Sequence, residues 1–521
     1  MEKLTIESLE WSRIYLIVTF NNDITDDLYL IDENKNKQLI CKEYIEKNKL
    51  KMPITCAYSD SMISEGKWNF YYQEKLVMVN LSCAKTLDDK NKVYFYKNND
   101  YAYVVSFNID EQFNLIMFIN YMKKNNKPLA NDRITSKHFV FHKILVMVLN
   151  LFIGLLKLEY KLFSLLSFKK GNRLLFMSET RDKLEGNLLA LRNRLVERNL
   201  DKNYKFYYSF KKVLSSKKSI WYYFKTVALI ARVDYIFIDD YAPIFSFIDL
   251  KKTRLIQLWH AGVGFKSVGY SRFGKNGSPH PLVSPHRKYD YAVVASESLI
   301  PVYQEVFGLT RKHFIVPGML RLDGYLDEER IANVKERIYH SYPNIKNKKV
   351  ILFAPTYRGT GQATAYYDND QIDLDKLYEL CVNNDYIVLF KFHPFIKDKI
   401  TIKKEYQELL IDVSDYSDIN ELFYVTDVLI TDYSSNIYEY SLFEKPIIFF
   451  DYDLEQYEIL RGVHNSLEDS PGNVCKTFDE VLDILKNQNY DISKVKKFKN
   501  ENIAYQDSKS CDRLIKILFD E

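Results

Sequence analysis

The sequence has few cysteines, and none of them has the spacing of a metal or dithiol motif. The 521 residues contain 6 cysteines, and no two of these are separated by only two residues. The sequence therefore shows neither a Cys-x-x-Cys zinc site nor a redox dithiol. Scattered cysteines in a long chain are typical of reduced thiols, which predicts a cytosolic compartment.

Three further absences concern membranes and nucleic acids. Residues 1–5 do not begin the long apolar core of a signal peptide, so the protein is expected to stay where nucleotides are available. The apolar run 144–156 is shorter than the roughly 20 residues that a spanning helix needs. The chain has 73 Lys and Arg against 69 Asp and Glu, a net charge of +4. This charge is too small for a nucleic-acid coat, so any anionic ligand must be held by local clusters.

The apolar content is sufficient for several folded domains. Hydrophobic residues make up 47% of the chain and charged residues 27%, a composition that excludes a wholly disordered protein. A chain of this length predicts about three domains. The expected fold class is α/β, with a β-rich region before it.

Residues 1–125 are predicted to form a small β-sandwich-like accessory domain. Aromatic and β-branched residues dominate four stretches and partly alternate with polar residues, and Asn and Asp form turns between them. The stretches are 4–20, 68–79, 93–96 and 101–107. No chemical motif is present, which favours a packing or binding role over catalysis.

Residues 126–170 are expected to form a helical linker with a broad apolar face and basic ends. The run 144–156 is followed by Lys157 and Lys161, and then by Lys169 and Lys170. A helix of this kind can lie in the membrane surface. It equally fits a helix that packs between domains, and both interpretations stay open.

From residue 171 onward, strand-length apolar runs alternate with helix-like stretches, which is typical of a parallel sheet. The runs are 174–176, 235–238, 255–258, 291–294, 314–316, 350–353, 387–390, 428–430 and 447–450. A predicted helix at 331–342 separates the first five from the last four. We predict two Rossmann-type units, 171–330 and 331–521, with a cleft between them and ligands beyond the carboxyl ends of the strands.

A histidine follows the third of these strands. His260 is followed by Gly262, Gly264 and Lys266. Glycine lets backbone N–H groups approach a ligand closely, and lysine can hold a phosphate. An imidazole with a pKa near neutrality suits removal of a proton from a hydroxyl. A structural hydrogen-bonding role for the histidine is the alternative.

The second unit has two clusters of the same kind. Thr356 and Arg358 follow its first strand, and an arginine can bind phosphate oxygens with two hydrogen bonds. Lys391 and His393 follow its second strand. The alternative for Arg358 is a turn in which it pairs with a surface carboxylate. We expect the histidines of the two units to face one another across the cleft.

A fourth cluster follows the next strand. Asp432, Ser434, Ser435 and Asn436 lie between this strand and a predicted helix, and one of the last three can cap that helix. The free N–H groups and the positive end of the helix dipole would then form an anion site. Glu439 lies one turn further on, where a ribose hydroxyl is within reach. Simple helix capping is the alternative.

Taken together and in this order, the four clusters resemble the CDP-glycerol glycerophosphotransferase family of teichoic-acid synthesis. The resemblance covers about residues 173–515 and rests on Trp259-His260, Ala354-Pro355-Thr356-Tyr357-Arg358, Lys391-Phe392-His393-Pro394 and Asp432-Tyr433-Ser434-Ser435. It implies a GT-B fold, CDP-glycerol or CDP-ribitol as donor, CMP as leaving group and a lipid-linked polymer as acceptor. It requires no cofactor. No compact set of carboxylates demands a metal, and only a loosely bound Mg²⁺ is left open.

Details of the sequence look closer to poly(ribitol-phosphate) polymerases than to glycerol-type members. Many glycerol-type members have His-Gly-Thr-Pro where this chain has His260-Ala261-Gly262-Val263. The stretches 259–272 and 285–292 and the opening 9–16 look like the ribitol branch. The resemblance therefore implies ribitol phosphate ahead of glycerol phosphate.

The mechanism that these residues suggest begins with His260 taking the proton of the acceptor's terminal hydroxyl. That oxygen attacks the polyol-bearing phosphorus as CMP leaves, a reaction that depends on positioning and charge neutralisation. Stabilisation of the diphosphate is expected from Arg358, His393, Ser434 and Ser435. Binding of the donor or of an acceptor phosphate is expected from Lys266, Thr356, Lys391, Asn436 and Glu439. Support of the loops is expected from Asp432, Gly262 and Gly264.

Two functions of other kinds share these features. A GT-B nucleotide-sugar glycosyltransferase of cell-envelope polysaccharide synthesis would have the same cleft and diphosphate site. A non-catalytic membrane-associated scaffold would bind the donor without turnover. The acceptor is expected to be a teichoic-acid or capsule polymer, and the expected location is the cytoplasmic face of the cell membrane, as a peripheral protein. The sequence does not distinguish addition of a first unit from polymerisation. It also leaves open whether the protein forms a homo-oligomer and what residues 1–125 do.

Overall fold

The computed structural model describes residues 3–97, 99–123, 136–168, 171–212, 218–259, 267–275, 278–359, 364–460, 462 and 470–519. A pair of mostly antiparallel sheets comes first along the chain, and two six-stranded parallel sheets follow. A long helix connects the antiparallel pair to the first parallel sheet.

The antiparallel pair contains strands β1–β12. They are β1 (Thr5–Ser12), β2 (Tyr15–Phe20), β3 (Leu28–Asp32), β4 (Lys37–Leu39), β5 (Ile45–Glu46), β6 (Lys49–Pro53), β7 (Gly66–Tyr72), β8 (Lys75–Leu76), β9 (Met78–Val79), β10 (Lys92–Tyr96), β11 (Tyr101–Ile109) and β12 (Leu115–Lys123). One sheet has the order β5-β6-β2-β1-β9, and the other has the order β10-β11-β12-β7-β3-β4 with β8 paired to β7. Side chains alternate between faces: Leu16, Val18 and Phe20 are fully buried, and Ile17 and Thr19 between them are partly exposed. The inward side chains of both sheets form one apolar cluster.

The two parallel sheets contain strands β13–β24. They are β13 (Arg173–Ser178), β14 (Lys205–Phe210), β15 (Tyr235–Ile238), β16 (Arg254–Gln257), β17 (Tyr291–Val293), β18 (Phe314–Ile315), β19 (Lys349–Phe353), β20 (Tyr386–Phe390), β21 (Leu410–Asp412), β22 (Val428–Thr431), β23 (Ile447–Phe450) and β24 (Asn473–Cys475). The predicted apolar runs all fall on strands. Strands β14, β21 and β24 were not predicted, and each lies at a sheet edge, where a strand can be partly exposed and need not be a continuous apolar run.

The strand orders place a crevice in each parallel sheet. The first sheet has the order β14-β13-β15-β16-β17-β18, so the chain changes direction across the sheet between β13 and β15. The second sheet has the order β21-β20-β19-β22-β23-β24, with the change between β19 and β22. Open α/β sheets bind ligands outside the carboxyl ends of the strands at such a reversal point.

The described helices cover these sheets and connect them. They are α1 (Leu81–Ala84), α2 (Ser136–Leu166), α3 (Gly186–Glu197), α4 (Ile220–Arg232), α5 (Ile300–Phe307), α6 (Glu328–Ser341), α7 (Leu374–Asn384), α8 (Ile419–Leu422), α9 (Ile437–Ser441), α10 (Leu454–Leu460), α11 (Phe478–Asn487), α12 (Ile492–Asn502) and α13 (Ser510–Phe519). Helix α6 corresponds to the predicted helix at 331–342. Leu514 and Leu518 of α13 share an apolar cluster with Leu188 and Leu191 of α3. The first parallel sheet lies before the predicted boundary at residue 330, and the second lies after it. Helix α13 follows that boundary in sequence but packs against the first unit.

Helix α2 packs along α4 with one face and exposes apolar side chains on another. Leu156 is buried, and the ring of Phe152 meets Tyr223 and Phe224 edge-on. The exposed face, here called the outer stripe, consists of Val148, Leu151, Leu155, Leu158, Leu162 and Leu165. In the described part of the chain, no helix is both long enough and apolar enough to cross a bilayer.

The antiparallel pair is fixed to the first parallel unit around α5. Arg13 donates two hydrogen bonds to the buried carboxylate of Glu305, both at 2.9 Å. The segment that follows residues 260–266 contributes Tyr270 and Phe273 to the apolar cluster of the antiparallel pair. Residues 1–125 therefore share core packing with the connection that follows His260.

Candidate active site

Three of the four predicted clusters lie side by side at one edge of the second parallel sheet. Strands β20, β19 and β22 are parallel neighbours, so their carboxyl ends lie at the same edge. These ends lead into Lys391, Thr356 and Asp432 respectively. The reversal point of this sheet lies between β19 and β22, so the clusters occupy the place where such sheets bind ligands.

Asp432 connects two of these strand ends. Its side chain is buried, and its Oδ1 accepts hydrogen bonds from the backbone N–H of Thr356 at 2.7 Å and of Tyr433 at 2.6 Å. Its Oδ2 accepts a hydrogen bond from Arg358. Asp432 thus holds the Thr356 turn and Arg358 in place, and its supporting role in the reaction stays a prediction.

Arg358 lies beneath this edge and is only 4% exposed. Its Nε and Nη2 donate to Asp453 at 2.8 and 2.6 Å, and its Nη1 donates to Asp432 and to the carbonyl of Thr356. Burial acts to lower the pKa of Arg358, but the two carboxylates outweigh this effect and hold that pKa above its usual value. The rings around the guanidinium, at 5.1–5.5 Å, belong to Tyr367, Tyr433, Tyr452 and Tyr457. The geometry favours a positioning role for Arg358 over direct contact with phosphate.

Thr356 has a buried hydroxyl that is not used within the described protein. The residue is 3% exposed, and its Oγ1 has no hydrogen-bond partner among the described residues. A buried hydroxyl without a partner is unfavourable. Its position at the reversal point suits a hydrogen bond to a bound donor.

His393 follows β20 at the same edge and is half-buried. Its ring contacts Tyr357 and Phe395, with ring centres 4.8 and 4.6 Å away. The backbone N–H of Phe395 donates to Nδ1 at 3.2 Å, so a neutral ring carries its proton on Nε2. A proton on Nε2 is suited to donation to a phosphate oxygen.

Lys391 is directed away from the strand ends of β19 and β22. Its Nζ donates to the carbonyl of Ser414, just beyond β21, at 2.7 Å, and burial lowers its pKa. This bond ties two neighbouring strand ends together. A phosphate-binding role for Lys391 stays a prediction.

The turn after Asp432 leads into a very short helix. Helix α9 has five residues, and a helix this short has only a weak dipole. Ser434, Ser435 and Asn436 are all partly exposed, and Ser434 Oγ accepts from the N–H of Asn436 at 3.3 Å. An anion at this turn would therefore be bound by its hydroxyls and N–H groups more than by a helix dipole.

Glu439 connects the two parallel units. It is buried and forms an ion pair with Arg321. The backbone N–H of Arg321 in turn donates to Asn187 at 3.0 Å, and Asn187 donates to the carbonyls of Leu258 and Trp259. The carboxylate expected to reach a ribose is thus engaged in a chain of contacts that ends at the residue before His260.

His260, Gly262, Gly264 and Lys266 lie outside the described residues, and their roles stay predictions. The residues on either side of 260–266 are described. Trp259 has a positive φ of 55°, and its N–H donates to the side chain of Gln257 at 2.8 Å. On the other side, the N–H of Ser267 donates to the carbonyl of Gly462 in the second unit at 3.1 Å. Both flanks are therefore tied to contacts between the two units.

Two aspartates that the sequence did not single out also lie at this edge. Asp451 directly follows β23, Asp453 lies two residues further on, and Asp453 binds Arg358 with both oxygens. Asp451 is buried, burial raises its pKa, and its Oδ1 has no partner among the described residues. Their position after an apolar run was the available signal. Among the described residues, no group of three or more His, Cys, Asp or Glu is arranged to hold a metal.

Residues 159–520 match the family model of CDP-glycerol:poly(glycerophosphate) glycerophosphotransferases. The chain belongs to this family. The resemblance drawn from the four motifs is thereby confirmed.

Known relatives include enzymes named for ribitol phosphate. The chain is 40% identical over 353 residues to the teichoic acid ribitol-phosphate polymerase TarL of Staphylococcus aureus, which covers 67% of this chain and 63% of TarL. It is 39% identical over 368 residues to the teichoic acid poly(ribitol-phosphate) polymerase of Bacillus spizizenii, which covers 70% of this chain and 58% of that protein. The matched region is thus less than two thirds of the length of either relative.

Among solved structures, the wall teichoic acid polymerase TagF has a similar fold. The TM-score is 0.55 at 23% identity, and the match covers 73% of this chain and 97% of the TagF chain. At this identity the likeness concerns the fold alone.

Proposed function

We propose that this protein transfers a polyol phosphate from a CDP-activated donor to the terminal hydroxyl of a lipid-linked teichoic-acid or capsule polymer and releases CMP. The observation that carries the proposal is that Thr356, His393 and Ser434 follow three neighbouring strands at one edge of the second parallel sheet, beside its reversal point. Family membership supports the reaction type, and this edge supplies hydroxyl, imidazole and backbone donors for a diphosphate.

Ribitol phosphate is the donor group we favour over glycerol phosphate. Both relatives compared above carry ribitol phosphate in their names. The sequence His260-Ala261-Gly262-Val263 also departs from the His-Gly-Thr-Pro of many glycerol-type members. A TagF structure obtained after a CDPG soak supports a CDP-linked donor in this fold.

In the proposed reaction, His260 accepts the proton of the acceptor hydroxyl as its oxygen bonds to the polyol-bearing phosphorus. The bond from that phosphorus to the CMP oxygen breaks, so a phosphodiester forms and CMP leaves with the electron pair. His393, through Nε2–H, and Thr356, through Oγ1–H, would donate hydrogen bonds to the diphosphate. Arg358 would keep Asp432 and the Thr356 turn in place. Lys266 would bind a phosphate of donor or acceptor.

We further infer a GT-B arrangement in which the first parallel unit takes the acceptor and the second takes the donor. The contacts of Glu439 with Arg321 and of Ser267 with Gly462 support a cleft between these units. The sandwich-like N-terminal domain would brace the connection that carries His260, because Tyr270 and Phe273 belong to its core. No cofactor is part of the proposed reaction.

We also propose peripheral attachment to an anionic membrane surface through the outer stripe of α2. Lys157 and Lys161 are exposed on the same helix. A cavity of about 520 Å³ at the end of α2 is lined by Phe168, Arg173, Lys205 and Arg232 among others. Apolar side chains flanked by cations match the chemistry of a lipid surface with negative headgroups. Attachment would keep the enzyme close to a lipid-linked acceptor.

A donor panel tests the proposed reaction. Purified protein is given CDP-ribitol, CDP-glycerol or a sugar nucleotide together with a defined lipid-linked primer, and nucleotide release and product length are measured. We expect CMP release and primer extension with CDP-ribitol, less with CDP-glycerol and none with the sugar nucleotide. In the same assay His260→Ala should lower turnover about 100- to 10,000-fold, the usual effect of removing a positioned general base.

The panel also separates the two alternatives. Release of UDP or another sugar-linked nucleotide with glycosylated primer would indicate a glycosyltransferase. Donor binding without turnover under all conditions would indicate a scaffold. Either result would contradict the proposed function, and normal turnover by folded His260→Ala would contradict the general base.

A further inference from the structure

Glu179 lies at the reversal point of the first parallel sheet, a position not used by the mechanism above. It directly follows Ser178, the last residue of β13, and Asp239 directly follows β15 on the other side of the crevice. The equivalent place in the second sheet holds Thr356 and Asp432. By the same rule of strand order, a ligand of the first unit is expected at Glu179.

Glu179 is a buried residue whose carboxylate has no hydrogen-bond partner among the described side chains. The residue is 5% exposed. Its carboxylate interacts with the charge of Lys211, and no side-chain hydrogen bond joins it to another described residue. Burial raises its pKa, and the charge of Lys211 only partly offsets this effect. A buried carboxylate without a hydrogen-bond partner destabilises a fold, so such a group is more often kept for binding or chemistry than for structure.

The surroundings of Glu179 combine a cation with aromatic hydroxyls. Lys211 directly follows β14, is 5% exposed, and donates its backbone N–H to Ser178 at 2.9 Å. The rings of Tyr222 and Tyr241 are close enough for the charge of Glu179 to raise their pKa values, although burial is the larger cause. The carboxylate can accept hydrogen bonds from the hydroxyls of a ligand, and the ammonium of Lys211 attracts phosphate. Together these two groups match the chemistry of a polyol phosphate.

The same sheet edge leads to the loop of the proposed general base. Strand β15 pairs with β16, which runs into Trp259. Neighbouring strands are about 4.8 Å apart, so β13 and β16 are separated by roughly 10 Å at this edge. A polyol unit held at Glu179 therefore lies within a short reach of the strand that leads into residues 260–266.

We propose that Glu179 and Lys211 bind the end of the acceptor polymer: Glu179 accepts hydrogen bonds from the hydroxyls of the terminal polyol, and Lys211 pairs with its phosphodiester. This inference rests on the proposed function for the identity of the ligand. It names the binding residues of the acceptor, about which the motifs of the second unit say nothing.

The test is Glu179→Gln, which keeps the size of the side chain and removes the charge. We expect the acceptor KM to rise at least tenfold while the donor KM stays unchanged. Because the substitution removes a buried charge, the melting temperature should stay the same or rise. Glu197→Gln is the matched control, since Glu197 lies on the exposed face of α3 and pairs only with Arg194 in the described structure. The control should leave both KM values unchanged.

A binding measurement separates this inference from the proposed reaction. An isolated poly(ribitol phosphate) oligomer is titrated into each protein by calorimetry without donor. Weaker binding to Glu179→Gln than to wild type supports the site even if no CDP-polyol is turned over. Equal binding and equal acceptor KM would overturn it. A lower melting temperature with both KM values changed would show a structural role and would also overturn it.

Discussion

At the carboxyl edge of the second sheet, some buried polar side chains have hydrogen-bond partners within the described protein and others have none. Asp432 and Arg358 make all of their identified contacts inside the protein. Thr356 Oγ1 and Asp451 Oδ1 are buried without partners among the described residues. The first pair holds the edge in shape, and the proposed function predicts that a bound ligand supplies the partners that the second pair lacks.

Thr356→Val should reduce activity without loss of stability. Valine keeps the shape of threonine, and the lost hydroxyl has no partner among the described residues to leave unsatisfied. If Oγ1 binds the charged donor, the lost hydrogen bond is worth about 1.5–3 kcal/mol, which corresponds to a decrease in kcat/KM for the donor of roughly 10- to 100-fold. Steady-state kinetics and thermal unfolding measure the two effects.

Thr431→Val is the matched control for this prediction. Thr431 is also buried at this edge, but its Oγ1 donates to the carbonyl of Ala354 at 2.8 Å. Its replacement should lower the free energy of unfolding by about 1–3 kcal/mol because that buried carbonyl loses its donor. If Thr356→Val were destabilising to the same degree and the donor KM did not change, the ligand-binding role of Thr356 would be wrong.

At the level of elements, the connection after residues 260–266 depends on a glycine. Gly269 has a φ of +55°, and a Cβ at this position would lie 2.1 Å from the carbonyl oxygen of Val306 in α5. A side chain would therefore force this connection away from α5. The connection carries Tyr270 and Phe273 into the core of the antiparallel pair, so a shift there would also change the path of the chain that leaves the His260 loop.

Gly269→Ala should lower the free energy of unfolding by about 2–5 kcal/mol, through the left-handed φ and the overpacking against α5 together. Gly171→Ala is the control, because Gly171 also has a positive φ, +76°, but no atom of the described residues lies within 4 Å of a Cβ placed there. The control should cost only about 1–2 kcal/mol. Denaturant unfolding measures both, and equal losses would contradict the packing explanation.

At the level of the whole molecule, the docking of the antiparallel pair contains a titratable contact. His313 Nε2 lies 2.9 Å from Asp60 and Nδ1 lies 3.0 Å from the carbonyl of Asp290, an arrangement that favours the doubly protonated ring. Burial would lower the pKa of His313, but Asp60 outweighs it and raises that pKa above 6.5. Asp60 also contacts Thr310 and Lys312. Burial would raise the pKa of Asp60, but its contacts with His313, Lys312 and Thr310 hold that pKa well below its usual value.

The free energy of unfolding should therefore fall as the pH rises above about 6.5. A group whose pKa is higher in the folded than in the unfolded chain stabilises the folded state. This stabilisation is complete at pH values below the pKa of the unfolded chain, and it is lost as the pH rises through the pKa of the folded chain. Asp60 stays ionised throughout this range. His313→Gln keeps a donor toward Asp60 and cannot titrate, so the decrease above pH 6.5 should be smaller in this variant. An identical pH profile would contradict the assignment.

The outer stripe of α2 gives a second prediction at this scale. Replacing Leu151, Leu158 and Leu165 by Gln should weaken binding to vesicles of phosphatidylglycerol and phosphatidylcholine at least tenfold, since each apolar side chain contributes about 1.5 kcal/mol or more when buried in lipid. Val382→Gln on α7, where Val382 is 55% exposed, is the control and should bind normally. Vesicle flotation measures binding. Unchanged flotation, or a dimer in sedimentation that the triple variant disrupts, would contradict membrane attachment.

Local sequence was sufficient for much of the parallel architecture. Residues 350–353, 387–390, 428–430 and 447–450 are continuous apolar runs because strands inside a covered sheet are buried on both faces. The polar residues directly after them had to lie at strand ends, since all parallel strands end at the same edge. The order of motifs was also enough to indicate the family.

Only the tertiary structure decided what each polar group contacts. The sequence placed Arg358 and Glu439 among the ligand-binding residues, but packing brings Asp453 against the first and Arg321 against the second. Glu179 carries no motif and became a candidate only when strand order placed it at a reversal point, where no described side chain forms a hydrogen bond with it. Strand runs follow from local periodicity, whereas ion pairs and unsatisfied groups depend on residues far apart in sequence, which only the folded chain brings within hydrogen-bonding distance.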